Sequence, residues 1–186
     1  VFYYGTNAII NSLVVHNRAL GGAQPGAVFF EGVNTIVNST FAKNNPGIFY
    51  DRYEDGGPYH GEIEAYNSIF ADQFADDYNG NAISPVTLDH CAVVNAQLQN
   101  SILQIDTVDL PVNTFIDYNG GDYRLHRMSP AVNGGQNSFF TDVSSATDDV
   151  EGQLRIAGAG IDMGAIEHQA ATMSLKGTVK MYQGGA

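Results

Sequence analysis

A gapless internal repeat is the feature of this sequence that most limits what it can fold into. Residues 1–17 match residues 28–44 at an offset of 27, with eight identical positions out of 17. The identical pairs are Val1/Val28, Phe2/Phe29, Gly5/Gly32, Asn7/Asn34, Ile9/Ile36, Asn11/Asn38, Ser12/Ser39 and Asn17/Asn44. A period of about 20–30 residues indicates a solenoid, in which equivalent residues of successive repeats stack on one another.

The repeat continues with drift, and its residues predict strands. The Asn-Ser pair recurs as Asn67-Ser68, His90-Cys91 is a weaker fourth copy, and Asn100-Ser101 is the candidate for a fifth. Between the turns, as in residues 36–42, the apolar residues alternate along the chain with a period of two, which is typical of a strand. Short strands closed by Asn, Gly, Asp and Pro predict a parallel β-helix over residues 1–116. Because residue 1 already lies inside this pattern, we expect further coils upstream.

The recurring asparagines predict a hydrogen-bonded ladder. Asn tolerates a left-handed backbone at a bend, and its amide can bond to the Asn one coil away. We therefore expect Asn11, Asn38 and Asn67 to form an asparagine ladder. The alternative for one rung is a glycosylation sequon, Asn38-Ser39-Thr40. His90 replaces the ladder Asn, and we expect it to make a structural hydrogen bond.

Charge and cysteine content limit the partners. The chain has 8 basic and 20 acidic residues, a formal charge of −12, so its surface repels nucleic acid and anionic lipid. No run approaches the roughly 18 apolar residues of a membrane span. The single cysteine, Cys91, lies in an apolar run and is expected to be a buried thiol rather than part of a zinc site.

Four motifs follow the repeat and resemble a known module. They are Asp122-Tyr123-Arg124-Leu125, Ser129-Pro130-Ala131-Val132-Asn133-Gly134-Gly135, Asp149-Val150-Glu151-Gly152-Gln153-Leu154-Arg155 and Asp162-Met163-Gly164-Ala165-Ile166-Glu167. In this order they resemble the choice-of-anchor-type closing module of bacterial right-handed parallel β-helix proteins, and the resemblance spans about 165 of the 186 residues. The family more often has Ile-Asp where this chain has Val132-Asn133.

The resemblance implies an all-β chain, a right-handed parallel β-helix with C-terminal coils plus a capping module. That module, residues 117–167, would fold over the last coil and shield its apolar end. Residues 168–186 would be a linker and the start of a following β segment. The resemblance to Bacteroidetes surface proteins also implies export of the parent protein by type IX secretion, and Asp106-Thr107-Val108 resembles a short O-glycosylation motif of that phylum.

The charged residues of the closing module have two interpretations. Arg124 and Arg155 are expected to pair with Asp122, Asp162 or Glu167 and to hold the module in place. The alternative is a calcium site, since carboxylate oxygens suit that ion. Its candidate ligands are Asp148, Asp149, Glu151 and Asp162.

An insertion between the second and third Asn-Ser copies, residues 51–62, is the candidate binding loop. Loops that leave a regular scaffold often carry function, and aromatic and acidic side chains together can stack on and hydrogen-bond a sugar. The candidate ligand-binding residues are Asp51, Arg52, Tyr53, Asp55, Tyr59 and His60. A plain solvated loop is the alternative. An acidic patch at Asp72, Asp76 and Asp77 is read as a polar turn, with calcium binding as its alternative.

Three functions stay open at the level of the sequence. The favoured one is a non-catalytic secreted or cell-surface scaffold, adhesin-like or glycan-binding, with a polysaccharide or host-cell glycan as its partner. A β-helix polysaccharide lyase or glycoside hydrolase is the second. It is disfavoured because the coils offer few cationic bases, Arg18, Lys43 and Arg52, and no defined catalytic pair. The third is cargo of a bacterial secretion system, with the secretion machinery as partner.

Overall fold

The structure, a computed structural model, is mostly β, with parallel sheets and one short helix. It describes residues 5–17, 27–30, 32–44, 48–51, 62–71, 74–75, 86–94, 102–111 and 114–169. The strands in chain order are β1 (Thr6–Ile10), β2 (Leu13–Val15), β3 (Ala27–Phe30), β4 (Val33–Val37), β5 (Thr40–Ala42), β6 (Ile48–Asp51), β7 (Glu62–Tyr66), β8 (Ile69–Phe70), β9 (Phe74–Ala75), β10 (Val86–Asp89), β11 (Ala92–Val94), β12 (Ile102–Ile105), β13 (Val108–Leu110), β14 (Phe115–Asp117) and β15 (Asp122–Leu125). The helix is α1 (Asn137–Thr141).

Successive repeats contribute equivalent strands to three parallel sheets. The first sheet has the order β1-β4-β7-β10-β12, the second β2-β5-β8-β11-β13, and the third β3-β6-β9. The 27-residue offset of the sequence repeat is also the register in which β1 pairs with β4, since Ile9 pairs with Ile36. The next strands continue that column with Ala65 and Leu88. Equivalent positions therefore stack directly, as the repeat predicts.

The core lies between the inward faces of the first two sheets. On β7 the buried Ile63 and Ala65 alternate with half-buried neighbours, as period two requires for a strand with one face inside. From the second sheet Phe41 and Phe70 enter the same core and stack with ring centroids 5.4 Å apart. Burying each of these aromatic side chains contributes about 1.5–3 kcal/mol to the stability of the stack.

One turn geometry links the first sheet to the second in every repeat. Its first residue has a left-handed φ of 45° to 49°. The second residue places a hydroxyl or thiol on the carbonyl oxygen two residues back, at 2.8–3.4 Å. The five turns are Asn11-Ser12, Asn38-Ser39, Asn67-Ser68, His90-Cys91 and Asp106-Thr107. Polar residues that tolerate a positive φ therefore recur at one position of the repeat.

The fifth turn corrects a sequence expectation. We expected the fifth copy at Asn100-Ser101, which lies outside the described residues, but the turn that follows β12 is Asp106-Thr107. It lies 16 residues after His90, so the last repeat is much shorter than the first. The sequence comparison missed this turn because none of the earlier copies has Asp at the first position or Thr at the second. The Thr107 hydroxyl lies 3.2 Å from the carbonyl oxygens of Leu88 and Ile105, so it is engaged in this turn.

The expected asparagine ladder forms at one step. The Asn67 amide donates to Asn38 Oδ1 at 3.1 Å. Asn11 instead donates to the carbonyl oxygen of Asp148, 137 residues away, at 2.9 Å. Asn38, Ser39 and Thr40 are all buried, with exposed fractions of 0–2%, so the sequon interpretation has no accessible acceptor in this fold.

The closing segment, residues 114–169, begins with the antiparallel pair β14–β15 and includes α1. Its apolar side chains cover the outer face of the second sheet, where Met163, Ala165 and Ile166 join a cluster with Ala42 and Ala92. Both faces of that sheet are therefore buried, as the wholly buried strands β5 and β11 require.

The closing segment lies elsewhere than the sequence led us to expect. We expected it to fold over the last coil, whereas it runs along the side of four successive repeats. Backbone carbonyls of Asp148, Asp162 and Gln136 accept hydrogen bonds from the amides of the first three turns, Asn11, Asn38 and Asn67. At the fourth turn the Phe139 ring meets the His90 ring edge-on, with centroids 5.5 Å apart. The column of polar turn side chains fixes this position because each needs a partner once it is covered.

Candidate functional site

The candidate binding loop lies almost wholly outside the described residues. Asp51 is the last residue of β6, and Glu62 is the first of β7. The remaining loop candidates, Arg52, Tyr53, Asp55, Tyr59 and His60, fall between them and are not described, nor are Asp72, Asp76 and Asp77. Sugar binding by this loop therefore stays a prediction.

Where the loop rejoins the first sheet, the strands present an acidic surface. Glu62, Glu64 and Tyr66 alternate with the buried Ile63 and Ala65, so they point away from the core. Asp89 pairs with Tyr66 in register and extends the surface onto β10. We call Glu62, Glu64, Tyr66 and Asp89 the acidic face. Partial burial, and then the charges of the three carboxylates, raise the pKa of the Tyr66 hydroxyl above its ordinary value.

Two of the four calcium candidates are buried and bonded to backbone. Asp149 Oδ1 accepts from the amides of Glu151 and Gln153 at 2.8 and 2.9 Å, and Oδ2 accepts from Glu167 at 2.8 Å. Asp162 accepts from the amides of Asn133 and His168 through its two oxygens. These carboxylates hold turns of the closing segment together, because a carboxylate on a backbone N–H makes a strong, charge-assisted bond.

The four calcium candidates do not gather around one point. Asp148 and Glu151 are exposed, whereas Asp149 and Asp162 are buried. Within the described part of the chain, the one group of three or more His, Cys, Asp or Glu side chains whose ligand atoms all lie within 4.8 Å of one another is Asp89, His90 and Asp106. Calcium binding at Asp148, Asp149, Glu151 and Asp162 stays a prediction, but the bonds of the two buried members supply a structural reason for their presence.

Arg155 is the buried centre of the closing segment, with an exposed fraction of 1%. Its guanidinium donates to the carbonyl oxygens of Ala165, Gly164 and Asp162 at 2.8, 2.7 and 3.1 Å. It also lies 3.5 Å from Glu167 Oε2. The expected pairing of Arg155 with Glu167 is confirmed, as is that of Arg124 with Asp122 on the surface. Arg155 therefore holds the Asp162–Glu167 turn together, and its guanidinium also donates to Asn11 Oδ1 of the first turn at 3.4 Å.

Burial raises the pKa of Glu167 to about 7. The neighbouring charges explain why one proton is retained there: Asp149, Asp162 and Glu167 are buried around a single cation, Arg155. Fully ionised, this group of four would carry a net charge of −2 in a site that excludes water. Burial also raises the pKa of Asp162. Taking up a proton near neutral pH lowers the electrostatic cost of the group.

The stability of the fold is therefore expected to decrease as the pH rises from about 4.5 to about 7. In that interval the folded chain keeps a proton on Glu167 that the unfolded chain, with an ordinary pKa of 4.5, has lost. Below and above the interval the contribution is constant, and the total change is about 3 kcal/mol. Urea unfolding at half-unit pH steps measures it.

The control for this pH dependence is Glu167→Gln, which keeps the side-chain shape but does not titrate. Its urea midpoint should vary less between pH 4.5 and 7 than that of the native chain. Equal slopes for the two proteins would assign the dependence to other groups.

Sequence reasoning did not foresee that the acids of the closing segment serve as backbone acceptors. The signal was present, because Asp149 is followed at short range by Gly152, which has a φ of 76°. An Asp that bonds to the amides two and four residues on is a common way to close such a turn.

The charged side chains described above thus form two separate groups that could serve as sites. One is the buried ionic cluster around Arg155, whose groups are bonded to backbone, and the other is the half-exposed acidic face with its neighbours His90 and Asp106. No helix within the described ranges has the length and apolar character needed to cross a bilayer. Comparison of the chain with protein-family models, with curated proteins and with solved structures finds no match.

Proposed function

We propose that this chain is part of a right-handed parallel β-helix that acts as a non-catalytic scaffold, adhesin-like or glycan-binding, on a secreted or cell-surface protein. The proposal rests on the contacts that the buried charged side chains make. Asp149, Asp162, Glu167 and Arg155 bond to backbone groups of the closing segment and to one another, and in doing so they hold its turns together. Arg155 also donates to Asn11 Oδ1 of the first turn at 3.4 Å. Such an arrangement favours mechanical integrity over chemistry.

The parallel register supports the β-helix assignment. Each strand of the first sheet pairs with the equivalent strand of the next repeat, and the strands of the second sheet do the same. Connections between parallel strands of one sheet are right-handed in about 98% of known cases, since a twisted strand returns to its sheet most easily in that sense. The expected hand of the coil is therefore right.

The acidic face supports a glycan as the partner. It is a half-exposed surface on which Glu62 and Glu64 of β7 and Asp89 of the neighbouring β10 present carboxylate oxygens. Sugar hydroxyls donate readily to such oxygens, and the extended strands offer a surface long enough for several sugar units. The candidate loop 51–62 rejoins the sheet at Glu62, so it would border this surface.

The test is binding and cleavage on one panel of neutral and acidic polysaccharides. Binding is followed by affinity electrophoresis and cleavage by the reducing ends released, with and without calcium. We expect binding to a neutral polymer without cleavage. Glu64→Gln should weaken it at least about fivefold, because a charge-assisted hydrogen bond contributes about 1.5–3 kcal/mol. Glu151→Gln, a matched change on the exposed closing segment, should leave binding unchanged.

Other outcomes would redirect the proposal. Release of reducing ends that disappears in an Asp51→Ala variant would replace it with the lyase or hydrolase alternative. Absence of binding to every polymer would reject the glycan partner. Equal loss in Glu64→Gln and Glu151→Gln would mean that overall charge, not the acidic face, governs binding.

A further inference from the structure

The turn column changes its chemistry at the fourth and fifth repeats. The first three turns place a neutral Asn at the left-handed position, but the last two place His90 and Asp106 there, with φ of 49° and 45°. The two turns are adjacent because β10 pairs with β12 and the His90 amide donates to the Ile105 carbonyl oxygen at 3.1 Å. Both side chains therefore leave the backbone from equivalent positions on neighbouring strands.

Asp89 completes a compact group with these two residues. Its Oδ1 lies 2.6 Å from His90 Nδ1. One ligand atom from each of Asp89, His90 and Asp106 lies within 4.8 Å of the other two. The group is half-buried at Asp89 and His90 and exposed at Asp106, so it is open to solutes.

We propose that Asp89, His90 and Asp106 bind one divalent transition-metal ion of the Zn²⁺ class, which joins the fourth and fifth turns. One imidazole nitrogen with two carboxylate oxygens is a ligand set that such ions accept at about 2.0–2.2 Å. Calcium fits poorly, because it takes about six to eight oxygen ligands. Three protein ligands leave one position of a tetrahedral ion for water.

Little movement is needed to admit the ion. Ligands at these bond lengths stand about 3.3–3.5 Å apart around a tetrahedral ion. The ion would replace the proton shared by Asp89 and His90, which requires their 2.6 Å contact to widen by less than about 1 Å. The imidazole is already oriented, because the Phe139 ring packs edge-on against it at a centroid distance of 5.5 Å.

The surrounding charge favours a cation at this point. Asp89 and Asp106 place two carboxylates beside one imidazole, and neighbouring like charges on paired strands destabilise a sheet. The acidic face adds Glu62 and Glu64 on the adjacent strand β7. A bound divalent ion would offset this repulsion at the two turns where His90 and Asp106 replace the asparagines of the first three turns, which gives the site a structural purpose.

Isothermal titration of the metal-free full chain with ZnCl₂ and with CaCl₂ tests the site. We expect one Zn²⁺ per chain and no comparable Ca²⁺ binding. His90→Asn and Asp106→Asn should each lower the Zn²⁺ affinity at least tenfold. Both substitutions restore the residue of the first three turns, which tolerates the left-handed backbone, so the fold should persist. His126→Asn, at an exposed histidine of the closing segment, is the matched control.

The outcomes separate cleanly. Tenfold losses in the two turn variants, with a native value in His126→Asn, support the site. Native affinity in His90→Asn or Asp106→Asn, or absence of Zn²⁺ binding by the native chain, overturns it. If a variant loses the circular dichroism spectrum of the folded protein, it cannot test the site. The native chain is then titrated with Co²⁺ instead. Visible absorption bands that Zn²⁺ abolishes at one equivalent support the site, and their absence overturns it.

Discussion

Arg155→Met is expected to lower the free energy of unfolding by about 3–5 kcal/mol. The substitution removes the one cation among three buried carboxylates, Asp149, Asp162 and Glu167. It also leaves the carbonyl oxygens of Gly164 and Ala165 without their guanidinium donor. A buried group left unpaired loses its bonds without regaining water, which is why the expected cost is large. Urea unfolding followed by circular dichroism gives the value.

Arg124→Met is the matched control for Arg155→Met. Arg124 pairs with Asp122 in the same strand, and its side chain is 53% exposed, so water replaces the lost partner. We expect its urea midpoint to stay close to that of the native chain. Equal effects of the two arginine substitutions would show that Arg155 does not have the structural role assigned to it.

Gly164→Ala is expected to cost about 2–5 kcal/mol, for two separate reasons. Gly164 has a φ of 93°, which strains any residue with a Cβ. That Cβ would also lie 2.7 Å from both Ile69 Cδ1 and Thr40 Oγ1, two side chains buried under the closing segment. Moving Thr40 would in turn break the bond that its hydroxyl accepts from the Ala165 amide at 2.9 Å. The closing segment should therefore detach more easily from the second sheet.

Gly152→Ala separates strain from steric clash. Gly152 also has a positive φ, 76°, but a Cβ there meets nothing within 4 Å. Its substitution should cost only the conformational part, about 1–2 kcal/mol. Comparing the urea midpoints of both variants isolates the cost of the contact with Ile69 and Thr40. A Gly164→Ala cost no larger than that of Gly152→Ala would contradict the tight packing of the closing segment on β5 and β8.

The parallel pairing was predictable because stacked repeats need the same kind of residue at each equivalent position. Ile9 and Ile36 occupy one column of the core, and Asn38 and Asn67 occupy one column of turns. Cys91 fits the same reasoning. Its burial is confirmed, and it raises the pKa of the thiol to about 12. These features depend on neighbouring repeats and local backbone, so residue types at a fixed spacing are sufficient to indicate them.

The charged pairs were predictable in kind but not in environment. Arg124 with Asp122 and Arg155 with Glu167 follow from opposite charges close in sequence. The sequence did not reveal that the first pair is exposed and the second is 1% exposed. Nor did it reveal that Asp149 and Asp162 would accept backbone hydrogen bonds. Burial depends on what covers a residue, and here the cover comes from a distant part of the chain.

The repeat was enough to predict the stacked strands, their register in the first repeats and the left-handed turns, because each follows from the side-chain period and from the tolerance of Asn for a positive φ. The position of the closing segment becomes visible only in the folded chain. The bonds from Asn11 to Asp148 and from Asn38 to Asp162 span 137 and 124 residues. Their acceptors are backbone carbonyls, which every residue possesses, so no residue type marks them. The same is true of the group Asp89, His90 and Asp106, which pairing of unequal repeats brings together.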